Sequence, residues 1–477
     1  MIAPVSAAEL AAARRAPPCP CAVALEDGGR VEITRWLRVL PGKRLVGEGV
    51  WNGRRALAKL FIGAHSARHW RREVDGLGAL AEANLPTPPK LAAGRLAGGG
   101  HYLLTAFLEG ARTLAERWPG ANAPPPNDAD ALAALRPAMA LFGRLHAAGL
   151  LQTDAHPGNF LEHAGEIFLI DGDGIARARG GESERARRAA GNLALLLAQL
   201  PPDWDAHSGA LLAAYAAGRP HSLPDPRALA AAVESARAKR LARFLEKTVR
   251  DCSEFAVETS ARRFTSVVRG ELENLAPLLA DPDAAIAAGA LLKDGRTCTV
   301  ARAEIAGRSL VVKRYNIKNP LHALSRGLRP SRAWRAWRAG HRLAFLGVPT
   351  PAPLALVEER AGPLRRRAFL VTEFCAGENL LQRLSPGEAP GAAEAAALLD
   401  LFGRLYRHRL THGDMKATNF LWHDGRIEVI DLDALAPHRR EAAFARAWRR
   451  DRARFLANWP ADSLLVRWLD RHLPEAP

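Results

Sequence analysis

The chain contains 477 residues, too many for one ordinary domain, and a typical domain size of roughly 150 residues predicts two to four compact units. Its 48% hydrophobic and 25% charged residues are typical of a globular protein and exclude a disordered or fibrous chain. No stretch reaches the roughly eighteen apolar residues that cross a bilayer, and no basic segment followed by an apolar run opens the sequence, so we expect a cytosolic protein. The five cysteines fit neither a disulfide framework nor a four-ligand zinc finger, and we expect them to be reduced.

The charge balance is strongly basic. The chain has 67 Lys and Arg residues against 50 Asp and Glu residues, a formal net charge of +17. Such a field attracts polyanions or an anionic membrane surface, which leaves nucleic acid, membrane and phosphorylated glycan as candidate partners. Because most of the excess is arginine, a compositional bias on solvated faces is an equally good explanation until a site is found.

The predicted elements occur in the same order in two parts of the chain. The first part has a strand with a lysine among apolar neighbours (Arg55–Phe61, with Lys59), a helical stretch, a Pro-Thr-Pro turn at 86–88, an apolar run at 101–110, a helix (Pro137–Ala148) and a strand ending in Ile-Asp (Ile167–Asp171). Between the two parts, Arg227–Arg269 contains neither proline nor glycine and follows Asp225-Pro226, which predicts a long connecting helix. The second part has the strand Ser309–Tyr315 with Lys313, the turn at 349–351, the apolar run at 368–377, the helix Ala395–His408 and the strand Ile427–Asp431.

An internal repeat explains this order. Residues 141–173 align with residues 401–433 without a gap, and 16 of the 33 positions are identical. The identities include the segment LFGRL, an Asn-Phe-Leu triplet and the strand aspartate. The chain therefore contains one type of domain twice.

Each copy carries a constellation suited to phosphoryl transfer. A loop aspartate is followed five residues later by an asparagine and twelve residues after that by a second aspartate, and the strand lysine lies upstream. The residues are Lys59, Asp154, Asn159 and Asp171 in the first copy, and Lys313, Asp414, Asn419 and Asp431 in the second. The reaction needs a cation for the donor phosphates, oxygen ligands for Mg²⁺ and a carboxylate that deprotonates the attacking hydroxyl. The lysine, the asparagine with the second aspartate, and the first aspartate fit these three roles in that order.

These motifs resemble the lipopolysaccharide core kinases, the heptose and Kdo kinases with their InaA-like relatives. The second copy carries HGDMKATNFLW at 412–422, EVIDLD at 428–433 and VVKRYNIK at 311–318, and the first carries ALAKLF and TDAHPGNFL. The resemblance implies an α+β fold of two tandem protein-kinase-like bilobal domains, each with an antiparallel-sheet N-lobe and a helical C-lobe around an ATP cleft. It implies domains at 1–285 and 286–477, with ATP and Mg²⁺ as cofactors.

Both copies depart from the family pattern. In the second copy Ala336 stands where many relatives have a helix glutamate that pairs with the strand lysine, whereas the first copy offers Glu73 for Lys59. In the first copy Gln152-Thr153 replaces the His-Gly before the loop aspartate, and the resemblance implies that this histidine holds the loop against the metal-binding aspartate. The first copy is therefore either a second active site or a pseudokinase half, and we favour the second copy as the main catalyst.

An arginine-rich segment near the second copy suggests the acceptor. The cluster contains Arg326, Arg329, Arg332, Arg335, Arg338 and Arg342, and Ser331 is a predicted helix N-cap. The last four fall on one helical face, and the interleaved Trp334 and Trp337 are either buried or placed at a lipid interface. We expect this helix to bind anionic sugars or headgroups, with a solvated face as the alternative.

We therefore expect an alcohol-group phosphotransferase that transfers the γ-phosphate of ATP to a heptose or Kdo hydroxyl of the lipopolysaccharide inner core. It would act in the cytoplasm, peripherally on the inner membrane, with lipopolysaccharide core or another anionic glycolipid as partner. One rival is a kinase of another small-molecule or protein acceptor, and another is a tandem pseudokinase scaffold in envelope assembly. Nucleic-acid binding is the weakest option, because no reading motif accompanies the charge.

Overall fold

The computed structural model describes residues 4–117, 129–219, 223–316 and 329–477. The chain divides into two compact units, Met1–Ala238 and Lys239–Pro477. Each unit contains several sheets together with helices, so the predicted mixture of α and β structure is confirmed.

The first unit contains a seven-stranded sheet and two small sheets. Its strands are β1 (Pro4–Val5), β2 (Cys21–Ala24), β3 (Arg30–Leu40), β4 (Arg44–Trp51), β5 (Arg54–Phe61), β6 (Lys90–Arg95), β7 (His101–Ala106), β8 (Arg112–Thr113), β9 (Leu150–Gln152), β10 (Phe160–His163), β11 (Glu166–Leu169) and β12 (Ile175–Arg177). The large sheet has the order β1-β2-β3-β4-β5-β7-β6, and the small sheets are β11-β10-β8 and β12-β9. The β1–β2 pair is parallel, and the pairings among β2 to β7 are antiparallel.

The helices of the first unit lie both between the strands of the large sheet and after them in sequence. They are α1 (Ala7–Ala12), α2 (Ser66–Glu82), α3 (Leu114–Arg117), α4 (Ala129–Ala147), α5 (Glu182–Leu197), α6 (Ser208–Gly218) and the start of α7 (Pro226–Lys247). Helix α4 contributes Phe142 and Leu145, both with no exposed surface, to the apolar core of the helical part.

The second unit repeats this plan. Its strands are β13 (Phe255–Thr259), β14 (Arg263–Val268), β15 (Ala290–Asp294), β16 (Cys298–Ile305), β17 (Arg308–Tyr315), β18 (Pro353–Ala361), β19 (Leu364–Glu373), β20 (Glu378–Asn379), β21 (Leu410–Thr411), β22 (Phe420–His423), β23 (Arg426–Val429) and β24 (Ala436–Pro437). Its further helices are α8 (Ala276–Ala280), α9 (Pro282–Ala288), α10 (Arg332–Phe345), α11 (Leu380–Arg383), α12 (Ala392–Arg407), α13 (Glu441–Leu456) and α14 (Leu464–His472). The large sheet has the order β13-β14-β18-β19-β17-β16-β15, and the small sheets are β20-β22-β23 and β21-β24.

Five strands of the large sheets are equivalent between the units. The order β3-β4-β5-β7-β6 of the first unit corresponds to β15-β16-β17-β19-β18 of the second. The first unit extends these five strands with β1 and β2 beside β3, whereas the second extends them with β13 and β14 beside β18. The repeated core is therefore widened at opposite edges.

The connecting helix is shorter than the sequence suggested. It begins as predicted, since the Asp225 carboxylate accepts a hydrogen bond of 2.8 Å from the Ala228 N–H, but it ends at Lys247. Residues 255–268 form a hairpin instead, because alternating apolar residues such as Phe255 and Phe264 suit a half-buried sheet. The sequence prediction divided the chain at 285/286, whereas the structure assigns residues 239–285 to the second unit, where β14 pairs with β18.

Candidate active site

Strand alternation places the two predicted lysines. In β17, Leu310 and Val312 are buried in the apolar core beneath the sheet, and the alternate residues, Val311 and Lys313, line a cavity on the other face. In β5 the same alternation buries Ala58 and leaves Lys59 on the opposite face.

Lys313 lies against the second aspartate of its motif. Its ammonium nitrogen is 2.6 Å from Oδ1 of Asp431 and 5.0 Å from the centre of the Tyr315 ring. Burial acts to lower the pKa of Lys313, but Tyr315 and Asp431 outweigh it and raise the pKa above its ordinary value. Burial acts to raise the pKa of Asp431, and the Lys313 ammonium outweighs it and holds the pKa below its ordinary value. Both groups are therefore charged at neutral pH.

Asp431 and its counterpart Asp171 share an uncommon backbone conformation. Their φ angles are 60° and 69°, in the left-handed region that residues other than glycine rarely adopt. Each aspartate follows a short strand and precedes a turn of 3₁₀ helix. The same local strain at the same position of both units is typical of a functional site.

His412 supports the loop of the second unit. It is fully buried, its Nε2 lies 2.8 Å from the Ile430 carbonyl oxygen, and its Nδ1 accepts from the Asp414 N–H at 3.3 Å. The Asp451 carboxylate on α13 accepts from the His412 and Gly413 N–H groups at 2.6 and 3.1 Å. These bonds fix the loop against the segment that carries Asp431, as the resemblance implied for the histidine.

Asp414 and Asn419 occupy the same loop. The Asn419 amide nitrogen donates to the Asp414 carbonyl oxygen at 2.9 Å, so its amide oxygen is the atom available to a cation. Two cations flank the Asp414 carboxylate: Arg454 of α13 at 2.7 Å from Oδ1, and Lys416 at 3.2 Å from Oδ2. The Asp414 side chain is 34% exposed, so solvent and an acceptor can reach it.

A cavity of about 390 Å³ lies beside three of the motif residues of the second unit. Its size lies within the range of about 300–1,000 Å³ typical of small-molecule sites. The polar residues Lys313, Asn419 and Asp431 line it together with apolar residues of both the sheet and the helical part, including Val300, Val311, Leu370, Leu421 and Ile430. Apolar walls suit a nucleotide base, and an amide oxygen beside a carboxylate suits Mg²⁺, so the residues present fit both groups.

The first unit holds its lysine differently. Lys59 forms an ion pair with Glu73 of α2, and its ammonium nitrogen lies 3.7 Å from Oδ1 of Asp171. Glu73 is fully buried and accepts from the Gly172 and Asp173 N–H groups, both at 3.1 Å. The structure thus brings Glu73 to Lys59, whereas in the second unit the corresponding residue, Ala336, is part of the cavity wall.

Gln152 takes the place of the loop histidine in the first unit. Its amide nitrogen donates to the Ile170 carbonyl oxygen at 3.3 Å, and Ile170 is the residue equivalent to Ile430. Asn192 accepts from the Gln152 N–H at 2.9 Å, as Asp451 does from His412. Replacement of His-Gly by Gln-Thr therefore preserves the contact that supports the loop.

Arg44 enters the first site and was not recognised in the sequence. Its guanidinium lies 3.8 Å from Oδ1 of Asp171 and 3.9 Å from Oε2 of Glu73. Arg44 pairs with Phe61, two residues after Lys59, and the equivalent pair in the second unit is Cys298 with Tyr315. Cys298 lines the cavity of the second unit, so an arginine replaces a small wall residue in the first.

Asp154 and Asn159 of the first unit repeat only part of the second loop. The Asn159 amide nitrogen donates to the Asp154 carbonyl oxygen at 2.7 Å. The Asp154 carboxylate is 80% exposed, with His156 at 3.9 Å and no counterpart of the Arg454 contact among the described residues. The sequence indicates a basic helix over Arg446–Arg454 and favours a solvated face for it. It did not connect Arg454 with Asp414, because this contact spans 40 positions and depends on how α13 packs.

The arginine-rich helix α10 has exposed side chains on one side and buried or ion-paired side chains on the other. It begins at Arg332 with Ser331 as N-cap, as predicted, and Arg332 forms an ion pair with Asp433. Arg335 and Arg338 are exposed, and Arg326 lies outside the described residues. Trp337 is fully buried and donates to the Thr248 carbonyl oxygen at 2.9 Å, so of the two alternatives for this tryptophan, burial is the correct one.

Lys313, Asn419 and Asp431 line one cavity, and Asp414 lies on the same loop as Asn419. These are the residue types that phosphoryl transfer needs. Residues 288–455 match the model of the lipopolysaccharide kinase (Kdo/WaaP) family. This segment contains the whole second site, so the resemblance predicted from its motifs is confirmed over that segment. The family match implies a phosphotransferase.

Other comparisons add little. A solved structure of WaaP in complex with acyl carrier protein is 20% identical and covers 43% of this chain and 88% of that chain, with a TM-score of 0.31. These values are too low to support a conclusion about this chain. None of the curated proteins compared with the chain matches it. Within the described ranges, no helix combines the length and the apolar character needed to span a membrane.

Proposed function

We propose that the second unit transfers the γ-phosphate of ATP to a heptose or Kdo hydroxyl of the lipopolysaccharide inner core. The observation that carries this proposal is the convergence of Lys313, Asn419 and Asp431 on one cavity, with Asp414 on the same loop. The family match over residues 288–455 supports lipopolysaccharide as the class of acceptor.

Each residue of the second site has a proposed role. Lys313 holds the α- and β-phosphates as a buried cation, and Asn419 and Asp431 supply oxygen ligands to Mg²⁺. Bound Mg²⁺ neutralises the negative charge of the phosphates. Asp414 orients the acceptor hydroxyl and accepts its proton. The present ion pair between Lys313 and Asp431 keeps both side chains charged and in place before the donor binds.

The cations beside Asp414 favour an anionic acceptor. Arg454 and Lys416 each contact one oxygen of the Asp414 carboxylate, and both are about half exposed. A carboxylate or phosphate on the acceptor sugar would compete for these cations and so leave Asp414 free to act as the base. The exposed Arg335 and Arg338 of α10 supply further positive charge for peripheral contact with the cytosolic face of the inner membrane.

Each unit is proposed to be a protein-kinase-like bilobal domain, with the large sheet as one lobe and the helices as the other. For the first unit we propose a pseudokinase role. Arg44 lies beside Asp171, where a cation bound to that carboxylate would meet the repulsion of the guanidinium. Lys59, which also lies beside the Asp171 carboxylate, is already paired with Glu73.

The acceptor can be tested with the purified full-length chain and γ-labelled ATP with Mg²⁺. One reaction contains dephosphorylated core lipopolysaccharide, and the other contains soluble amino sugars and a protein acceptor. The proposal expects label in the lipid fraction. Label only in a soluble acceptor would replace it with a kinase of another class, and ATP binding without transfer to any acceptor would indicate a scaffold.

A further inference from the structure

A second cluster of side chains lies beside the cavity of the second unit, apart from the residues assigned to phosphate transfer. It consists of Cys375, His423 and Glu428, whose sulfur, imidazole nitrogen and carboxylate oxygen all lie within 4.8 Å of one another. Nδ1 of His423 is 3.8 Å from Oε1 of Glu428. Cys375 itself lines the cavity.

The sheet β20-β22-β23 brings the three residues together. In the β22–β23 hairpin, Leu421 pairs with Glu428, and His423 lies two residues beyond Leu421 on the same face. His423 and Glu428 are thus diagonal neighbours, within reach of long side chains. Cys375 approaches because it lies in the segment between β19 and β20, and β20 pairs with β22.

The segment that carries Cys375 packs closely against β22. Gly377 must be a glycine, because a Cβ at this position would lie 2.5 Å from the Trp422 carbonyl oxygen. The close approach of this segment to β22 holds the sulfur beside the imidazole.

The internal repeat shows that the fold does not require this trio. By the same strand pairings, the equivalent residues of the first unit are Leu108, His163 and Phe168. There the imidazole of His163 packs edge-on against Phe168, with ring centres 6.3 Å apart. The hairpin therefore folds with only one of the three ligand types, and the sulfur and the carboxylate are present in the second unit alone.

We propose that Cys375, His423 and Glu428 form a Zn²⁺ site. Thiolate, imidazole and carboxylate are the ligands that Zn²⁺ takes, whereas Mg²⁺ and Ca²⁺ prefer sites made of oxygen alone. Tetrahedral bonds of about 2.0–2.3 Å set the ligand atoms roughly 3.3–3.7 Å apart, so side-chain movements of about 1 Å close the site. Three protein ligands leave the fourth position to water or to Asp424, whose carboxylate is 3.8 Å from Nδ1 of His423.

A metal bound by these three residues would stabilise the cavity wall. Cys375 belongs to the segment that leaves the large sheet after β19, and His423 and Glu428 belong to the small sheet of the helical part. Zn²⁺ would cross-link the two at the edge of the cavity. The site is independent of the proposed phosphate transfer, and it would stabilise the second unit even if the acceptor were different.

The test uses the full-length chain, stripped with a chelator and then titrated with Zn²⁺ against a competing chromophoric chelator. We expect one high-affinity Zn²⁺ per chain, and an affinity at least about 100-fold weaker in Cys375→Ser and in His423→Gln, since even loss of a group that only orients a ligand typically costs about 10- to 100-fold. The control His163→Gln removes the equivalent histidine of the first unit and should bind Zn²⁺ like the wild type. Zn²⁺ bound equally by the wild type and Cys375→Ser would overturn the proposal.

Co²⁺ gives a second readout that does not depend on activity. Co²⁺ in the wild type should show a thiolate-to-metal charge-transfer band, and Cys375→Ser should lack it while retaining the circular dichroism of the folded protein. A wild-type spectrum of Co²⁺ without a thiolate band would contradict the site. Because neither readout involves nucleotide, a failure here is distinguishable from a failure of the proposed kinase activity.

Discussion

The two candidate sites are built on equivalent sets of five strands, yet their lysines contact different carboxylates. In the second unit Lys313 contacts Asp431 directly and lines an open cavity. In the first unit Lys59 pairs with the buried Glu73, and Arg44 adds a second cation beside Asp171. Both units thus keep the four motif residues but differ in the charged residues around them, and this difference is the basis of the pseudokinase role proposed for the first unit.

The difference extends along the whole cleft. Small or polar wall residues of the second unit correspond to larger or charged ones in the first: Cys298 to Arg44, Ala336 to Glu73, and Gly340 to Leu77. Two contacts that support the loop are preserved, however: Gln152 bonds to the Ile170 carbonyl as His412 does to that of Ile430, and Asn192 accepts from the Gln152 N–H as Asp451 does from that of His412. The first unit thus resembles the second in the support of its loop and differs from it in the residues around the lysine.

The largest expected effect separates the two lysines. Lys313→Ala should lower kcat/KM for phosphate transfer by about 100- to 1,000-fold, because it removes the buried cation that is proposed to hold the α- and β-phosphates of the donor. Lys59→Ala is the matched control and should change it less than about threefold. Steady-state kinetics of both variants check this, and equal losses would mean that both sites work.

Exchange of Arg44 and Cys298 tests why the clefts differ. Cys298→Arg should abolish binding of Mg²⁺-nucleotide by the second unit, because it introduces a cation and fills the wall. Arg44→Ser should raise the nucleotide stoichiometry of the chain from one to two, measured by calorimetry with a non-hydrolysable analogue. A stoichiometry of one in Arg44→Ser would show that Arg44 does not close the first site.

The loop support gives a smaller effect on stability. His412→Ala leaves the Ile430 carbonyl oxygen without its buried partner and should lower the free energy of unfolding by about 1–3 kcal/mol. His412→Gln should recover most of this loss, because Gln152 makes the equivalent bond in the first unit. Urea unfolding of the two variants measures the difference, and equal destabilisation would show that the amide cannot replace the imidazole here.

The smallest effect concerns pH. Lys313 holds the pKa of Asp431 below its ordinary value near 3.8, so the ion pair stabilises the folded state above that pH and loses this contribution as pH falls through the lower folded value. Asp431→Asn should therefore lose stability less steeply below about pH 4 than the wild type. Unfolding midpoints across pH 3 to 7 test this, with the exposed Asp424→Asn as control. Parallel curves of unfolding midpoint against pH for the wild type and Asp431→Asn would contradict a lowered pKa of Asp431 in the folded state.

Local patterns predicted much of this structure. The alternation of β5 and β17 and the Ser331 N-cap follow from short stretches of sequence, whereas the proximity of Glu73 to Lys59 was predicted from the family resemblance. The end of α7 at Lys247 could not be read from the absence of proline and glycine, because pairing of β14 with β18 overrides helix propensity there.

Other features depend on tertiary packing. Arg44 looks like an ordinary charged residue at the start of a strand, and only the fold turns it towards Asp171. Arg454 reaches Asp414 through the packing of α13, and Trp337 is buried by the hairpin that replaces the predicted long helix. Contacts between residues far apart in the chain leave no periodic signal in the sequence, so motif spacing could not find them.

The central claim is that the second unit transfers phosphate and the first does not, and the paired loop aspartates test it most directly. The measurement is transfer of label from γ-labelled ATP to dephosphorylated core lipopolysaccharide by Asp414→Asn and Asp154→Asn. We predict a loss of at least about 100-fold in Asp414→Asn and wild-type transfer in Asp154→Asn. Loss of transfer in Asp154→Asn as well would contradict the claim and assign a catalytic role to both units.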